Sequence, residues 1–413
     1  MPPDRNDEMS ATATTQEPAA TGTTPEFNTI TINMGPQHPS THGVLRLIIE
    51  LDGEIVRSVR PVMGYLHTGM EKIMESKTFT KSITVTDRMD YMSPLGNNMA
   101  YVGAVERILG IDVPDRARTL RVVLLELMRI SSHLVWLGTH AIDLGAMSVF
   151  LYCFREREKL LDVNDMVAGS RMTPSYFRVG GFYQDVPDAF VPHVRKFLEE
   201  FPKALAEYQN LLTKNKIWMQ RTIGVGVMSG EQAISLGCTG ATLRGSGINY
   251  DVRKAKPYLG YETYDFEVPL GKSGDVYDRY LIRIEEMKQS LRIIRQGLDR
   301  LKPGSVRSDY PYLFPAKRED VKLGMEELIY HFKIMSEGFR VPAGDAYFSI
   351  ESPKGELGFY VVADGSPKPY RVHVRPPSFI HLMALEPMAI GRLVSDLVAC
   401  IGSIDIVLGE VDR

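Results

Sequence analysis

Two histidines spaced four residues apart lie in a polar segment near the amino terminus, 33–44 (NMGPQHPSTHGV). Two prolines in this segment fix backbone φ angles and remove amide donors, so it can form neither a helix nor a strand ladder. Alternating apolar residues on both sides predict two strands joined by a loop too long for a two-residue hairpin. We interpret the loop as a stiff support that presents His38 and His42 to a ligand. The alternative is a surface loop whose histidines have no role.

A second polar segment, 86–91 (TDRMDY), combines two carboxylates, a guanidinium and the phenol of Tyr91. Since the pKa of tyrosine is about 10 and that of histidine about 6.5, both donate protons at neutral pH only in a site that draws the proton away. A tyrosine and a histidine facing one acceptor could protonate a two-electron-reduced quinone. A nearby carboxylate would hold the imidazole tautomer and stabilise its cation. Spacing along the sequence does not show that these groups meet.

The strongest predicted helix begins at Pro114-Asp115 and carries an apolar stripe at helical spacing. Its second face is polar, and five ionisable residues fall within about a 100° arc there if the helix continues past Gly138. These residues are Glu126, Arg129, His133, His140 and Asp143. Such a cluster on an otherwise apolar helix predicts side chains paired inside the protein. The alternative for the first three is a buried ion-pair network that only fixes helix packing.

The overall composition is that of an ordinary water-exposed protein, with 413 residues, 44% hydrophobic and 24% charged. The net charge of -3 gives no basic excess, so we expect no general nucleic-acid binding. No uncharged apolar run approaches the ~18–20 residues that span a bilayer. The acidic, polar amino terminus does not resemble a secretory signal. These features predict a protein on the cytosolic side that can still attach to a membrane complex.

The three cysteines are Cys153, Cys238 and Cys400, and none belongs to a Cys-x-x-Cys pair. By itself this chain therefore cannot ligate a four-cysteine iron–sulfur cluster or build a zinc ribbon. Isolated thiols of this kind are typical of small buried hydrophobic residues in a reducing compartment.

The distribution of patterns predicts one α+β unit with a bundle of long helices at its centre. Residues 1–26 are expected to form a disordered tail, 27–62 a β region with the histidine loop, and 63–413 a helical core with a carboxyl-terminal β region. A glycine-rich stretch at 224–247 lacks the strand–GxGxxG–helix order, so phosphate binding is rejected there. Alternation at 347–375 predicts a small antiparallel sheet. Further helices are predicted at 63–76 (after Gly64), 147–162, 191–215, 278–301 and 386–401.

Seven motifs give the sequence a specific resemblance to the D subunit, the 49-kDa-type subunit, of respiratory complex I, the NADH:quinone oxidoreductase. The likeness extends in order over about residues 27–413. The motifs are 35–46 (GPQHPSTHGVLR), 64–72 (GYLHTGMEK), 87–91 (DRMDY), 139–146 (THAIDLGA), 177–181 (FRVGG), 243–247 (LRGSG) and 405–413 (DIVLGEVDR).

The resemblance implies a fold like the large subunit of nickel–iron hydrogenases, in which cysteine pairs hold the metals. This chain has no cysteine pair, so a nickel–iron centre is excluded. In the family the corresponding position is the headgroup end of a quinone cavity. The resemblance implies that His42 and Tyr91 hydrogen-bond the quinone carbonyls and supply protons, and that Asp143 pairs with His42. The residues expected to line the same pocket are His38, Thr139, Met92 and Val135.

The resemblance also implies a terminal [4Fe–4S] cluster whose thiolates belong to the neighbouring B subunit, with Arg88 facing it. A cation there would raise the cluster's potential. Two positions depart from what many family members have: Thr68 stands where an arginine often flanks the cluster, and Thr173 where a histidine often couples cluster reduction to protonation. Because threonine does not titrate near neutrality, we expect a cluster potential nearly independent of pH.

The implied assembly is a proton-translocating NADH:quinone oxidoreductase on the cytoplasmic side of the bacterial plasma membrane, to which this chain would be a peripheral subunit. Its expected partners are complex I subunits B, C and I, the membrane subunits A and H, and quinone as substrate, with no cofactor bound by this chain alone. The alternative to a catalytic subunit is a scaffold that only docks other subunits and whose polar network is packing.

Overall fold

The computed structural model describes residues 29–37, 43–310 and 312–413. The expected disordered tail, 1–26, and the two loop histidines, His38 and His42, lie outside these ranges. The described residues combine many helices with small antiparallel sheets, which confirms the α+β class.

Three antiparallel strands form the amino-terminal sheet: β1 Ile30–Met34, β2 Arg46–Asp52 and β3 Ile55–Val62. The alternation of the sequence fits the pleat, because every second residue of β2 is buried against the core. Met34 lies opposite Leu47 in the β1–β2 register. The two strands therefore hold both ends of the histidine loop together.

A two-stranded hairpin and a second three-stranded sheet complete the β structure of the described residues. The hairpin consists of β4 Phe177–Arg178 and β5 Gly181–Phe182, and the sheet of β6 Gly344–Ser352, β7 Gly355–Ala363 and β8 Pro369–Arg375 in antiparallel order. This second sheet is the one predicted from alternation at 347–375. Its β6–β7 turn is a tight one that contains only Pro353 and Lys354.

The described helices pack around the long helix α4. Helices α1 to α8 are Met70–Ser76, Phe79–Thr86, Pro94–Leu109, Asp115–Asp143, Met147–Ala168, Phe190–Leu212, Lys216–Thr222 and Gly230–Ser235. Helices α9 to α17 are Gly240–Gly245, Val252–Ala255, Val276–Arg300, Arg318–Leu323, Met325–Ser336, Pro377–His381, Leu385–Ala389, Val394–Ile404 and Leu408–Asp412, and two single 3-10 turns lie at Tyr261–Thr263 and Leu382–Ala384. None of the helices in these described ranges is long and apolar enough to cross a membrane.

Helix α4 begins directly after Pro114 and ends before Gly145, whose positive φ of 89° turns the chain into α5. It packs against α5, α11 and α16 and is buried along most of its length. A Cβ atom at Gly138 would lie 3.2 Å from the Phe150 ring, so this glycine permits the close approach of α4 and α5. The predicted continuation of the helix past Gly138 is therefore correct.

The prediction of a single helix at 386–401 is wrong, because the structure contains two helices there, α15 and α16. Between them the chain turns at Gly391 and pairs with β3: Val56 N–H donates to Arg392 O at 2.8 Å, and Gly391 N–H donates to Val56 O at 2.9 Å. These hydrogen bonds to β3 take the place of helical hydrogen bonds. Local periodicity cannot predict such tertiary contacts.

The predicted helix at 63–76 begins later than expected, at Met70. The preceding residues are held outside a helix by the Asp412 carboxylate, which accepts from Gly64 N–H at 2.8 Å and Leu66 N–H at 2.7 Å. The positive φ angles of Gly64 and Gly69 also interrupt helical geometry. Several helices had no counterpart among the predicted elements: α2, α3, α7 to α10, α12 to α14 and α17.

Candidate functional site

Tyr91 lies in the turn between α2 and α3, and its side chain is half-buried. Asp90 holds this turn, because its carboxylate accepts from Met92 N–H at 3.0 Å and its carbonyl from Ser93 N–H at 3.1 Å. Burial raises the pKa of Tyr91, with a further rise from the charge of Asp90 and an opposing effect of Lys354. The phenol is therefore protonated at neutral pH and is available as a proton donor.

The short helix α17 packs directly against Tyr91. A Cβ atom at Gly409 would lie 3.4 Å from Cε1 of Tyr91 and only 2.5 Å from the carbonyl oxygen of Met89. Contacts of 2.5 Å are too short for real carbon and oxygen atoms, so only glycine fits at this position. The carboxyl-terminal helix thus forms the wall behind the tyrosine.

Three predicted site residues share one face of α4. Val135, Thr139 and Asp143 are spaced four residues apart, and all three are half-buried while most of their neighbours on α4 are buried. The Thr139 hydroxyl donates to Val135 O at 3.0 Å, which fixes its orientation on the helix. The face is therefore an apolar and polar strip that ends in a carboxylate.

Lys354, in the β6–β7 turn, connects this face to the tyrosine turn. Its Nζ donates to Ser132 Oγ at 3.1 Å and lies 3.3 Å from Asp90 Oδ2. At about 100° per residue, Ser132 and the three half-buried residues of α4 fall within roughly an 80° arc. The structure thus brings the turn that carries Tyr91 and Met92 to the same side of α4 as Val135, Thr139 and Asp143.

The other ionisable residues predicted on α4 have different surroundings. Arg129 Nε lies 3.2 Å from Glu126 Oε2, and His133 Nε2 lies 2.8 Å from Glu286 Oε2. These residues belong to a buried ion-pair network, which is the alternative that the sequence left open for them. Burial alone would raise the pKa of Glu126, but the charges of Arg129 and Arg253 hold it below its usual value.

His140 separates from that network and packs among aromatic rings. Its ring stacks on Trp136 at a centroid distance of 5.6 Å and meets the edge of Trp218 at 5.3 Å. A Cβ atom at Gly402 would lie 2.1 Å from its Nδ1, so α16 approaches α4 closely at this point. The polar face of α4 is therefore split into a network, an aromatic cluster and the half-buried face that ends at Asp143.

The residues expected to face an iron–sulfur cluster lie toward the outside of the described chain. The Arg88 side chain is 60% exposed and its guanidinium donates to Thr84 O at 2.5 Å. Thr68 is exposed in the segment before α1, and Thr173 is half-buried between α5 and β4. These positions leave Arg88 and Thr68 accessible to a partner.

The base of the histidine loop is fixed even though His38 and His42 lie outside the described residues. Arg46 on β2 hydrogen-bonds to Asn33 on β1, because its Nε and one Nη atom donate to Asn33 Oδ1 at 3.0 and 2.9 Å. Its other Nη atom donates to the Tyr65 hydroxyl at 3.2 Å. Because two N–H groups of one guanidinium bind the same amide oxygen, the contact restricts the two strands on either side of the loop.

Four concave regions of about 280, 400, 500 and 1,220 Å³ are lined by residues other than those predicted for the site.

Sequence reasoning missed Lys354 and Ser132. A lysine in a Pro-Lys-Gly turn is typical of an exposed surface turn, whereas this one is 0% exposed.

The three cysteines are buried and free, and burial raises their pKa to about 12 for Cys153 and about 11 for Cys238 and Cys400. Within the described ranges, no group of three or more His, Cys, Asp and Glu side chains is arranged to hold a metal ion.

The chain is similar both to one protein family and to individual proteins with the same description. Residues 143–413 match the family described as the 49-kDa subunit of the respiratory-chain NADH dehydrogenase. The chain is 58% identical over 400 residues to the D 2 subunit of the NADH-quinone oxidoreductase of Chloroflexus aurantiacus, covering 96% of this chain and 97% of that protein. It is 58% identical over 384 residues to the D subunit of the same enzyme from Geotalea uraniireducens, covering 93% and 98%, and 54% identical over 384 residues to that of Geobacter sulfurreducens, with the same coverage.

Proposed function

Because the chain belongs to the family of the 49-kDa subunit of the respiratory-chain NADH dehydrogenase, and is thus a subunit of an NADH-quinone oxidoreductase, we propose that it forms the quinone-headgroup site of that complex. In this function two electrons from a [4Fe–4S] cluster held by a partner subunit, and two protons, convert quinone to quinol. The observation that carries the proposal is the half-buried Tyr91, whose turn is joined by Lys354 to the half-buried face of α4.

In the proposed site Tyr91 and His42 donate hydrogen bonds to the two quinone carbonyls and supply the protons. Asp143 orients the His42 imidazole and stabilises its cation. His38, Thr139, Met92 and Val135 line the pocket. Half-buried, mixed apolar and polar surroundings at the α4 residues suit a quinone ring, which has an apolar body and two polar ends.

The proposed assembly places the B subunit, which holds the cluster, against Arg88, and adds the C and I subunits and the membrane subunits A and H. The exposure of Arg88 and Thr68 supports a partner surface there. We further infer a peripheral position on the cytoplasmic side of the bacterial plasma membrane, a contribution to proton translocation through the complex, and a fold related to the nickel–iron hydrogenase large subunit. These inferences rest on the sequence resemblance.

A scaffold that only docks other subunits is the competing function, and the packing role of Glu126, Arg129 and His133 favours it for that part of the helix. The two functions differ at Asp143. We expect Asp143→Asn to lower quinone reduction by the assembled complex roughly tenfold, less than the ~100-fold expected for loss of a proton donor, because it weakens the support of His42 and leaves both proton donors in place. NADH oxidation with an artificial acceptor measures whether the rest of the complex is intact.

The matched control is Asp115→Asn, which makes the same chemical change at the exposed first turn of the same helix. It is expected to leave both activities unchanged. Equal quinone reduction by the Asp143→Asn and Asp115→Asn complexes would favour the scaffold function.

The threonines at 68 and 173 lead to a second expectation. Because neither side chain titrates near neutrality, the potential of the partner's cluster should change little between about pH 6 and 8, whereas one proton per electron would give about 59 mV per pH unit. Redox titrations of the assembled complex, followed by electron paramagnetic resonance, measure this slope. Thr173→His should introduce a slope, and a one-proton slope in the unmodified complex would contradict the expectation.

A further inference from the structure

A fully buried group of four ionisable residues, here called the Lys354 cluster, lies behind the proposed site. It consists of Asp90, Lys354, Asp405 and Glu410, which are 1%, 0%, 5% and 1% exposed. Lys354 Nζ lies 3.3 Å from Asp90 Oδ2 and 3.9 Å from Asp405 Oδ2. The four residues come from the turn before α3, the β6–β7 turn, the end of α16 and α17, so tertiary folding alone brings them together.

Glu410 has the poorest charge compensation in the cluster. Its Oε2 accepts a hydrogen bond from Ser378 Oγ at 2.5 Å, whereas its Oε1 is buried and has no hydrogen-bond partner. Asp405 Oδ2 likewise accepts no hydrogen bond. Buried, unpartnered carboxylate oxygens are costly when charged and much less so when the carboxyl is protonated.

The balance of charge around the cluster favours a bound proton. Three carboxyls face the single ammonium of Lys354. The charged groups that act on Asp405 from α4 and α11 are His133 and Arg283, and burial lowers the pKa of His133, so that it is neutral at pH 7. Arg283 also acts on Glu286 of the ion-pair network, so its charge is shared. If all three carboxyls were ionised, the positive charges of Lys354 and Arg283 would compensate two of them, and one negative charge would remain.

Glu410 is the member that keeps this proton. Burial, followed by the negative charge of Asp90, raises its pKa to about 8, whereas its hydrogen bond from Ser378 and the charge of Lys354 act in the opposite direction. The shift agrees with the geometry, because Glu410 forms neither of the close contacts that Lys354 Nζ makes with Asp90 and Asp405. A neutral carboxyl at physiological pH is the result.

The cluster adjoins Tyr91 on two segments of the chain. Asp90 is the residue before Tyr91, and Glu410 follows Gly409, whose backbone lies against the tyrosine ring. A proton held at Glu410 therefore lies behind the wall that α17 and the tyrosine turn form together.

We propose that Glu410 stores one proton for the site and returns it to Tyr91 after the tyrosine has protonated the reduced quinone, an inference that rests on the proposed function. The Glu410 O–H bond breaks and the Tyr91 tyrosinate oxygen gains the proton. Glu410 then carries the one negative charge that Lys354 and Arg283 leave uncompensated in the cluster, which favours its reprotonation. A proton taken up from the solvent then restores the Glu410 carboxyl before the next turnover. No electron moves in these steps. Transfer is downhill, because burial makes the Tyr91 tyrosinate a strong base.

Glu410→Gln in the assembled complex separates proton storage from packing. Glutamine has the shape of the neutral acid and can still accept the hydrogen bond from Ser378, so a packing role predicts no change. Proton storage predicts a loss of about tenfold or more in quinone reduction. It also predicts that the decline of activity above about pH 8 disappears, since the group that titrates has been removed. In infrared difference spectra, the carboxyl band that changes on quinone reduction should be absent from the variant.

Ser378→Ala serves as a second variant that retains the acid. Because the serine hydrogen bond lowers the pKa of Glu410, its removal should move the alkaline decline to higher pH without abolishing activity. Glu386→Gln is the matched control, since Glu386 is exposed on α15 and outside the cluster.

Two outcomes would overturn the inference: wild-type activity with an unchanged pH profile in Glu410→Gln, or an alkaline decline in Ser378→Ala that does not move. If Tyr91→Phe impairs quinone reduction in the same preparation, either outcome removes the proton store and leaves the proposed function standing. If Tyr91→Phe reduces quinone at the normal rate, the proposed function itself fails, whatever Glu410→Gln does.

Discussion

Tyr91→Phe is expected to lower quinone reduction by the assembled complex about 100-fold or more, which is the usual contribution of one positioned proton donor. The substitution removes the hydroxyl and keeps the ring that packs against Gly409. Assembly should therefore be unaffected. The measurement is the rate of NADH:quinone reduction with a short-chain quinone, compared with NADH oxidation by an artificial acceptor that bypasses the site.

The control for this change is Tyr370→Phe, because Tyr370 lies on β8 and is 67% exposed. It tests the loss of an exposed phenolic hydroxyl outside the turn between α2 and α3. The expected result is normal quinone reduction. Normal turnover by the Tyr91→Phe complex would contradict the proton-donor role and leave the scaffold function in its place.

Arg244→Met is expected to have the largest effect on stability, a loss of roughly 3–5 kcal/mol in the free energy of unfolding. Arg244 is fully buried in α9, forms a short ion pair with Glu286, and lies 2.7 Å from Glu351 Oε1. Methionine fills a similar volume and carries no charge. Both carboxylates would then remain buried without their main counter-charge, and denaturant unfolding of the purified chain measures the loss.

Two further variants test the physical reason for this loss. Arg292→Met removes an arginine from exposed ion pairs with Asp265 and Glu267 and should cost less than about 1 kcal/mol, because solvent screens them. Adding Glu351→Gln to Arg244→Met should recover part of the loss, since glutamine needs no counter-charge. Equal losses for Arg244→Met and Arg292→Met would show that the buried network does not stabilise the fold.

Local periodicity predicted the elements whose structure depends on their own residues. Alternation at Ile30, Ile32 and Met34 predicted β1, and the apolar stripe after Pro114 predicted α4. The same reasoning failed at Gly391, where hydrogen bonds to β3 divide an apolar helical pattern. An interaction with a distant strand leaves no trace in the local spacing of side chains.

The candidate site could be predicted only in part for the same reason. The roles of Tyr91 and Asp143 were assigned through a resemblance in sequence, and spacing along α4 grouped Asp143 with ionisable residues that turned out to have separate surroundings. Lys354 and Glu410 could not be predicted, because one lies in an ordinary turn and the other in a short terminal helix. Only the tertiary fold places both next to the residue that precedes Tyr91.

The pairing of the amino-terminal sheet with the end of the chain has a consequence for biosynthesis. Strand β3 bonds to residues near Arg392, and Gly64 bonds to Asp412, which is 348 positions later. At roughly 5–20 residues per second, a ribosome needs tens of seconds to deliver that partner segment. During this interval the edge strand β3 of the nascent sheet is uncovered, so we expect the sheet to require a chaperone or a delay in folding until translation is nearly finished.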